Sequence, residues 1–227
     1  MNSIAACSEP GEEHPPWRFP DVIRAGGRIE KEDWTLIPYP PGNAPKPKAT
    51  GKAGLARNTG EAAAPPDLVA GLAVPATGKL IVPLALWQAR RAALQARFDA
   101  GEIALWLDAC EEVEALIAAV DLAALPLLAL DFPKAVDGRA YSSAALLRKR
   151  FQYRGPLWAV GDVQRDYFAF MFRCGFDTLA PRAGRYTRAQ LEDAAASLGL
   201  FAHPYQGAVD NPLPLWRRVR RSQETRI

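Results

Sequence analysis

The 227 residues contain only two histidines and three cysteines, and that scarcity removes more chemistry than any other feature of the chain. His14 sits in a polar, proline-rich leader and His203 lies near the end beside Pro204, so a Ser-His-Asp or Cys-His machine and a histidine-built metal site are both excluded as expectations. Cys7, Cys110 and Cys174 are far apart, which gives neither a disulfide framework nor a C-x-x-C pair for a dithiol or an iron–sulfur cluster. Neither G-x-G-x-x-G nor G-x-x-x-x-G-K-[ST] occurs, so the usual handles for dinucleotides and nucleoside triphosphates are missing, and no cofactor is named by motif. The longest candidate for a membrane span, Val113 to Leu130, is interrupted by Glu114 and Asp121. Residues 1–16 have no basic start and no apolar run, so no secretory signal is read and the cytoplasm is the expected compartment.

Positive charge is scarce too, once its position is considered. The net charge is +3, but Arg217, Arg218, Arg220, Arg221 and Arg226 crowd the last eleven residues, leaving the rest of the chain slightly acidic. Gripping nucleic acid needs many clustered cations, so no nucleic-acid partner is expected.

Proline and glycine are plentiful only at the front: 12 of the 20 prolines precede Lys79. The expected organisation is a disordered leader over residues 1–18, a β-hairpin segment over 19–37, a Pro/Gly-rich linker over 38–78, an α/β core over 79–216 and a basic tail over 217–227. The hairpin turns at Gly26-Gly27, with Trp34 to Ile37 as a third strand.

From Lys79 onward, short apolar runs alternate with amphipathic segments in five strand-helix units. The strands are Leu80–Leu86, Ile103–Leu107, Leu127–Leu130, Leu157–Val160 and Asp177–Ala180, with an edge strand at Phe201–Tyr205. A helix is expected over Gln88–Asp99, another opens at Ser142, a third ends at Gly175, and the last starts at a capping box, Thr187 with Gln190. Apolar strands alternating with helices mean a parallel sheet. Five units are too few for a complete barrel, so the fold class is α/β with a partial barrel or an open sheet.

In such folds the loops after the strand carboxyl ends carry ligands. Three strands end in an aspartate: Asp108, Asp131 and Asp162. The third loop, Asp131 to Ser142, is the richest in polar groups. Lys134, Gly138, Arg139 and the helix start at Ser142 suit an anion or a phosphate-bearing ligand, with Asp137 and Tyr141 beside them. The plainer reading runs alongside: Asp162 and Asp108 cap helices, Asp137-Gly138 is a turn, and Asp131 pairs with Arg139. Cys174, next to Arg173, is the one redox candidate, but a helix C-terminus disfavours a thiolate. A packed thiol, on a face with Val163, Tyr167, Phe170 and Met171, is the favoured reading, and Cys110 follows the same logic on its own helix.

Several segments together carry a resemblance. They are Leu80 to Trp87, Asp137-Gly138-Arg139 with Tyr141-Ser142, Leu146-Leu147-Arg148 with Arg150, Gly161-Asp162-Val163 with Arg165-Asp166, and Arg173 to Asp177, together with Tyr205-Gln206 and the early hairpin ending in Trp34. The chain resembles the bacterial domain of unknown function usually labelled a probable oxidoreductase of sulfite reduction, whose genes typically neighbour that of sulfite reductase. The resemblance runs from about Asp21 to Arg221, apart from the linker. It departs at Trp158, where the family often has Arg, and at Tyr167, where it often has Gln. The resemblance implies a cytoplasmic role in assimilatory sulfate reduction and brings no established catalytic residues. The matched polar residues make Asp162, Asp137 and Tyr141 the catalytic candidates, and add Arg148, Arg165 and Asp166 to the ligand-binding set. Two functions follow as expectations. One is a component of sulfite reduction that binds a small anionic ligand; the other is a non-catalytic protein docking on sulfite reductase through Arg148, Arg165 and the Arg217–Arg221 tail.

Overall fold

A computed structural model describes residues 16–39, 69, 71–201 and 205–218. Most of the expected leader, linker and basic tail lies outside the described residues, as does the centre of the expected edge strand at 201–205.

Among the described residues nine strands form one sheet: β1 (Trp17–Arg18), β2 (Val22–Arg24), β3 (Ile29–Glu30), β4 (Thr35–Leu36), β5 (Leu80–Pro83), β6 (Ile103–Leu107), β7 (Leu128–Phe132), β8 (Leu157–Gly161) and β9 (Thr178–Pro181). The order across the sheet is β1-β4-β5-β6-β7-β8-β9-β2-β3. Strands β4 to β9 run parallel, while β1, β2 and β3 pair antiparallel to their neighbours. The helices between them are α1 (Leu84–Asp99), α2 (Val113–Ala119), α3 (Arg139–Lys149), α4 (Phe168–Cys174) and α5 (Arg188–Ser197), with a short α6 at Leu215–Arg218. None is long and apolar enough to cross a membrane.

This strand order forces curvature. β1 and β2 are adjacent in the chain, separated only by Phe19, Pro20 and Asp21, yet seven inter-strand steps separate them in the sheet. A flat sheet would put them roughly 34 Å apart at ~4.8 Å per step. The four Cα–Cα links from Arg18 to Val22 reach at most about 14 Å. The sheet therefore curls into a half-barrel whose two edges approach one another, and the expected partial barrel is what forms. Phe19, fully buried in that short bridge, meets Trp158 of β8 edge-to-face at 5.9 Å.

Alternation along β7 assigns the two faces. Phe132 contacts Tyr141 of α3 at 4.9 Å, so Leu128, Leu130 and Phe132 face the helices, and Ala129 and Asp131 face the concave side. Parallel register places Trp106 and Trp158 beside Ala129, and Val160 beside Asp131. Along β6 to β8 the concave face is thus apolar and aromatic in its middle, and Asp131 lies on it close to the carboxyl end of β7.

The hairpin forms as expected, with Ile23 opposite Ile29 and both turn glycines, Gly26 and Gly27, at positive φ. The expected third strand also forms, but as β4 on the opposite edge of the sheet, beside β5. The expected strand Leu80–Leu86 ends at Pro83, and Leu84 to Leu86 open α1 instead. Those three residues are buried in either conformation, so their apolar character could not separate strand from helix. Helix α3 starts at Arg139, three residues ahead of Ser142. Gly175 ends α4 in the left-handed region at φ 111°, and the Thr187–Gln190 capping box starts α5, both as expected.

Candidate functional site

The richest polar cluster lies where β6 and β7 end. Asp131, the fourth residue of β7, is 6% exposed, and its Oδ1 accepts no hydrogen bond among the described residues. Burial pushes its carboxyl up to about 7, the charge of Asp108 raises it further, and Arg182 works in the opposite direction. Gly161, at φ 96°, leaves room for it: a Cβ there would overlap Asp131 Oδ1 and the Phe132 carbonyl.

Asp108 follows β6 and is 5% exposed; burial raises its carboxyl, and Oδ1 accepts the Cys110 N–H at 2.8 Å. Glu111 Oε2 accepts the Asp108 N–H at 2.8 Å, while Tyr39 donates its hydroxyl to Glu111 Oε1 at 3.1 Å. Burial pushes Glu111 up to about 7 and raises Tyr39 well above its ordinary range. Tyr39 in turn packs edge-on against Trp106 at 5.1 Å, and Trp106 Nε1 donates to the Ile37 carbonyl at 2.9 Å. The segment after β4 is thereby fixed against the mouth of the half-barrel. Asp108 lies within electrostatic reach of both Asp131 and Glu111, and burial raises the proton affinity of all three carboxyl groups.

The expected cap at Asp108 is shifted. Asp108 and Glu111 exchange reciprocal bonds like a capping box, but they close a turn, and α2 begins later at Val113 with Glu112 before it. Cys110 consequently sits in that turn rather than on a helix. Arg139 Nη1 donates to Cys110 Sγ at 2.9 Å, and burial raises the thiol.

Arg139 pairs with Asp137, Nε to Oδ1 at 2.9 Å, and not with Asp131. That pairing lowers Asp137 and raises Arg139. Gly138 precedes the helix without a side-chain cap, while Lys134 and Ser142 are exposed. Asp162 caps no helix. Its Oδ2 accepts the Ala135 N–H at 2.9 Å and ties the third loop to the end of β8, with Arg185 3.7 Å from its other oxygen.

Tyr141 stands apart from the mouth. It lies between Phe132 and Phe170, each at 4.9 Å, in the helix layer behind the sheet, with its hydroxyl buried, unpartnered and pushed up to about 12. Cys174 is half-buried in the same layer and packs against the core, where burial raises its thiol; Phe170 on the same helix is 47% exposed, so the expected apolar face is rotated to Phe168 and Met171.

Arg148 is placed at the opposite end of the sheet. It donates to the carbonyls of Tyr153, Gly155 and Gly175 and to Asp177 Oδ2, which locks together the segments entering β8 and β9. These bonds occupy the guanidinium that docking would need. Arg165 pairs with Asp193, its own N–H bonds to the Tyr186 hydroxyl, and Asp166 is exposed beside it.

The structure thus brings Asp137, Arg139 and Asp162 to the carboxyl end and leaves Tyr141, Cys174 and Arg148 elsewhere. Sequence reasoning underweighted Asp131 and Asp108 and missed Glu111, Tyr39 and Arg182. The legible signal was the aspartate closing successive strands; the contribution from Tyr39 depends on a long-range pairing. Among the described residues no group of three or more His, Cys, Asp or Glu is arranged to hold a metal ion.

No curated protein and no solved structure matches the chain. Residues 104–216, from β6 to the start of α6, match the family model described as bacterial protein of unknown function (DUF934), a description that carries no activity.

Proposed function

We propose that the carboxyl end of the half-barrel binds a small anionic ligand and handles protons for it, as a component of assimilatory sulfite or sulfate reduction. The observation that carries the site is Asp131: a carboxyl almost wholly buried at a strand end, with one oxygen unpartnered and a proton affinity near neutrality. A group of that affinity both donates and accepts protons at physiological pH, which suits a general acid or base. Reduction of a sulfur oxyanion consumes protons, so a site of this kind has a natural place in that chemistry. The pathway itself rests on the sequence resemblance. The docking function has the same resemblance behind it and less in the geometry, since Arg148 is committed inside the fold.

The test is growth with sulfate as sole sulfur source in a strain lacking the gene. Asp131→Asn is expected to fail to restore growth while the wild-type chain restores it and cysteine rescues both. Normal growth on sulfate with Asp131→Asn would overturn the proposed site.

A further inference from the structure

An anion at a site ringed by carboxyl groups needs a cation not already spent on a neighbour. Arg139 does not qualify, because Asp137 engages its guanidinium and Cys110 takes a further donor. Arg182, in the loop just beyond β9, is arranged differently. Its guanidinium lies 4.5 Å from the centre of the Trp17 ring and within electrostatic reach of Asp131. Among the described residues its side chain has no carboxylate partner and no hydrogen bond. A guanidinium held against an aromatic face keeps its N–H edge available while its orientation is restricted. Within that reach the Asp131 carboxyl has its buried Oδ1 unpartnered among the described residues, and its protonated form carries a donor.

We propose, building on the anion-binding function above, that Arg182 stacked on Trp17 is the grip for an oxyanion of the sulfate, sulfite or phosphate class, with the buried Asp131 carboxyl supplying the second hydrogen bond. Guanidinium and carboxylic acid then present donors to different oxygens of one group, a pattern that fits an oxyanion and penalises a neutral ligand. Trp17 belongs to β1, outside the stretch that matches the family, so the grip exists only where the N-terminal segment closes the half-barrel. The charged groups facing Asp131 are Asp108 after β6, Asp137 in the third loop and Arg182 itself. As Asp131 ionises, it stops donating and repels the anion. Binding therefore weakens as pH rises through neutrality.

The experiment is calorimetric titration of the full chain with sodium sulfite, sodium sulfate, inorganic phosphate and adenosine phosphosulfate, each at about pH 6 and about pH 8. Wild-type protein is expected to bind at least one probe, more tightly at the lower pH. Arg182→Gln is expected to lose roughly tenfold to a hundredfold in affinity, the range for one charge-assisted hydrogen bond. Trp17→Leu is expected to lose several-fold, and Arg154→Gln, an exposed residue entering β8 at the opposite end of the sheet, to bind normally. Preference for the free ions or for the nucleotide ester tells whether the oxyanion arrives alone or as part of a larger molecule. Unchanged affinity in Arg182→Gln overturns the grip and leaves the proton-handling site standing, whereas absence of binding by every probe to wild-type protein overturns both.

Discussion

At the scale of single residues, Asp131 imposes a cost that the fold carries elsewhere. Its carboxyl titrates near 7 in the folded chain and near 4 when unfolded, so the folded state holds the proton more tightly. The stability this gives is complete below about pH 4 and is lost as pH rises through about 7, with a total on the order of 4 kcal/mol. Asp131→Asn is therefore expected to be the more stable protein at pH 8, with a flatter stability profile between pH 4 and pH 7, as read by urea unfolding across that range. Arg148 has the opposite character: buried donors satisfy three carbonyls and a carboxylate. Arg148→Ala is expected to cost about 3 kcal/mol, because the acceptors it leaves lie partly away from water. Nothing in the local sequence separates these two fates. Asp131 was visible as a strand-end acid, but its solitude depends on Arg139 choosing Asp137, which is decided by the loop geometry.

At the scale of elements, the parts governed by local chemistry were legible and the parts governed by pairing were not. The Gly26-Gly27 turn, the Gly175 helix end and the Thr187–Gln190 box follow from backbone preferences within a few residues. Thr187→Ala is expected to lower stability by about 1 kcal/mol, measured by thermal or urea unfolding, since it removes the acceptor for the Gln190 N–H. By contrast, Trp34 to Ile37 reads as a third strand after the hairpin, and only the sheet order reveals that β4 belongs to the far edge. The same limit applies to Leu84–Leu86, whose burial satisfies both strand and helix. Gly161 lies between these cases, as its turn is legible but its service to Asp131 is not. Gly161→Ala is expected to destabilise by roughly 1–3 kcal/mol through its positive φ, and to displace the Asp131 carboxyl as well.

At the scale of the whole molecule, the site depends on two distant stretches of chain. Residues 104–216 supply Asp108, Glu111, Asp131 and Arg182, while Trp17 and Tyr39 come from the N-terminal strands that complete the curl. A chain limited to residues 104–216 would lack β1 to β5 and expose the edge of β6. It is expected to show no cooperative thermal transition by circular dichroism, whereas the full chain shows one. The composition that first narrowed the chemistry is consistent with this assembly: histidine and cysteine are scarce, and burial moves the carboxyl groups of Glu111 and Asp131 up toward neutrality. The most direct test is therefore the titration of Asp131 itself, followed by ¹³C carboxyl resonances in the labelled full-length protein and assigned with Asp131→Asn. A midpoint near pH 7 is expected; a midpoint near pH 4, that of an ordinary solvated aspartate, would contradict a carboxyl raised by burial at the end of β7.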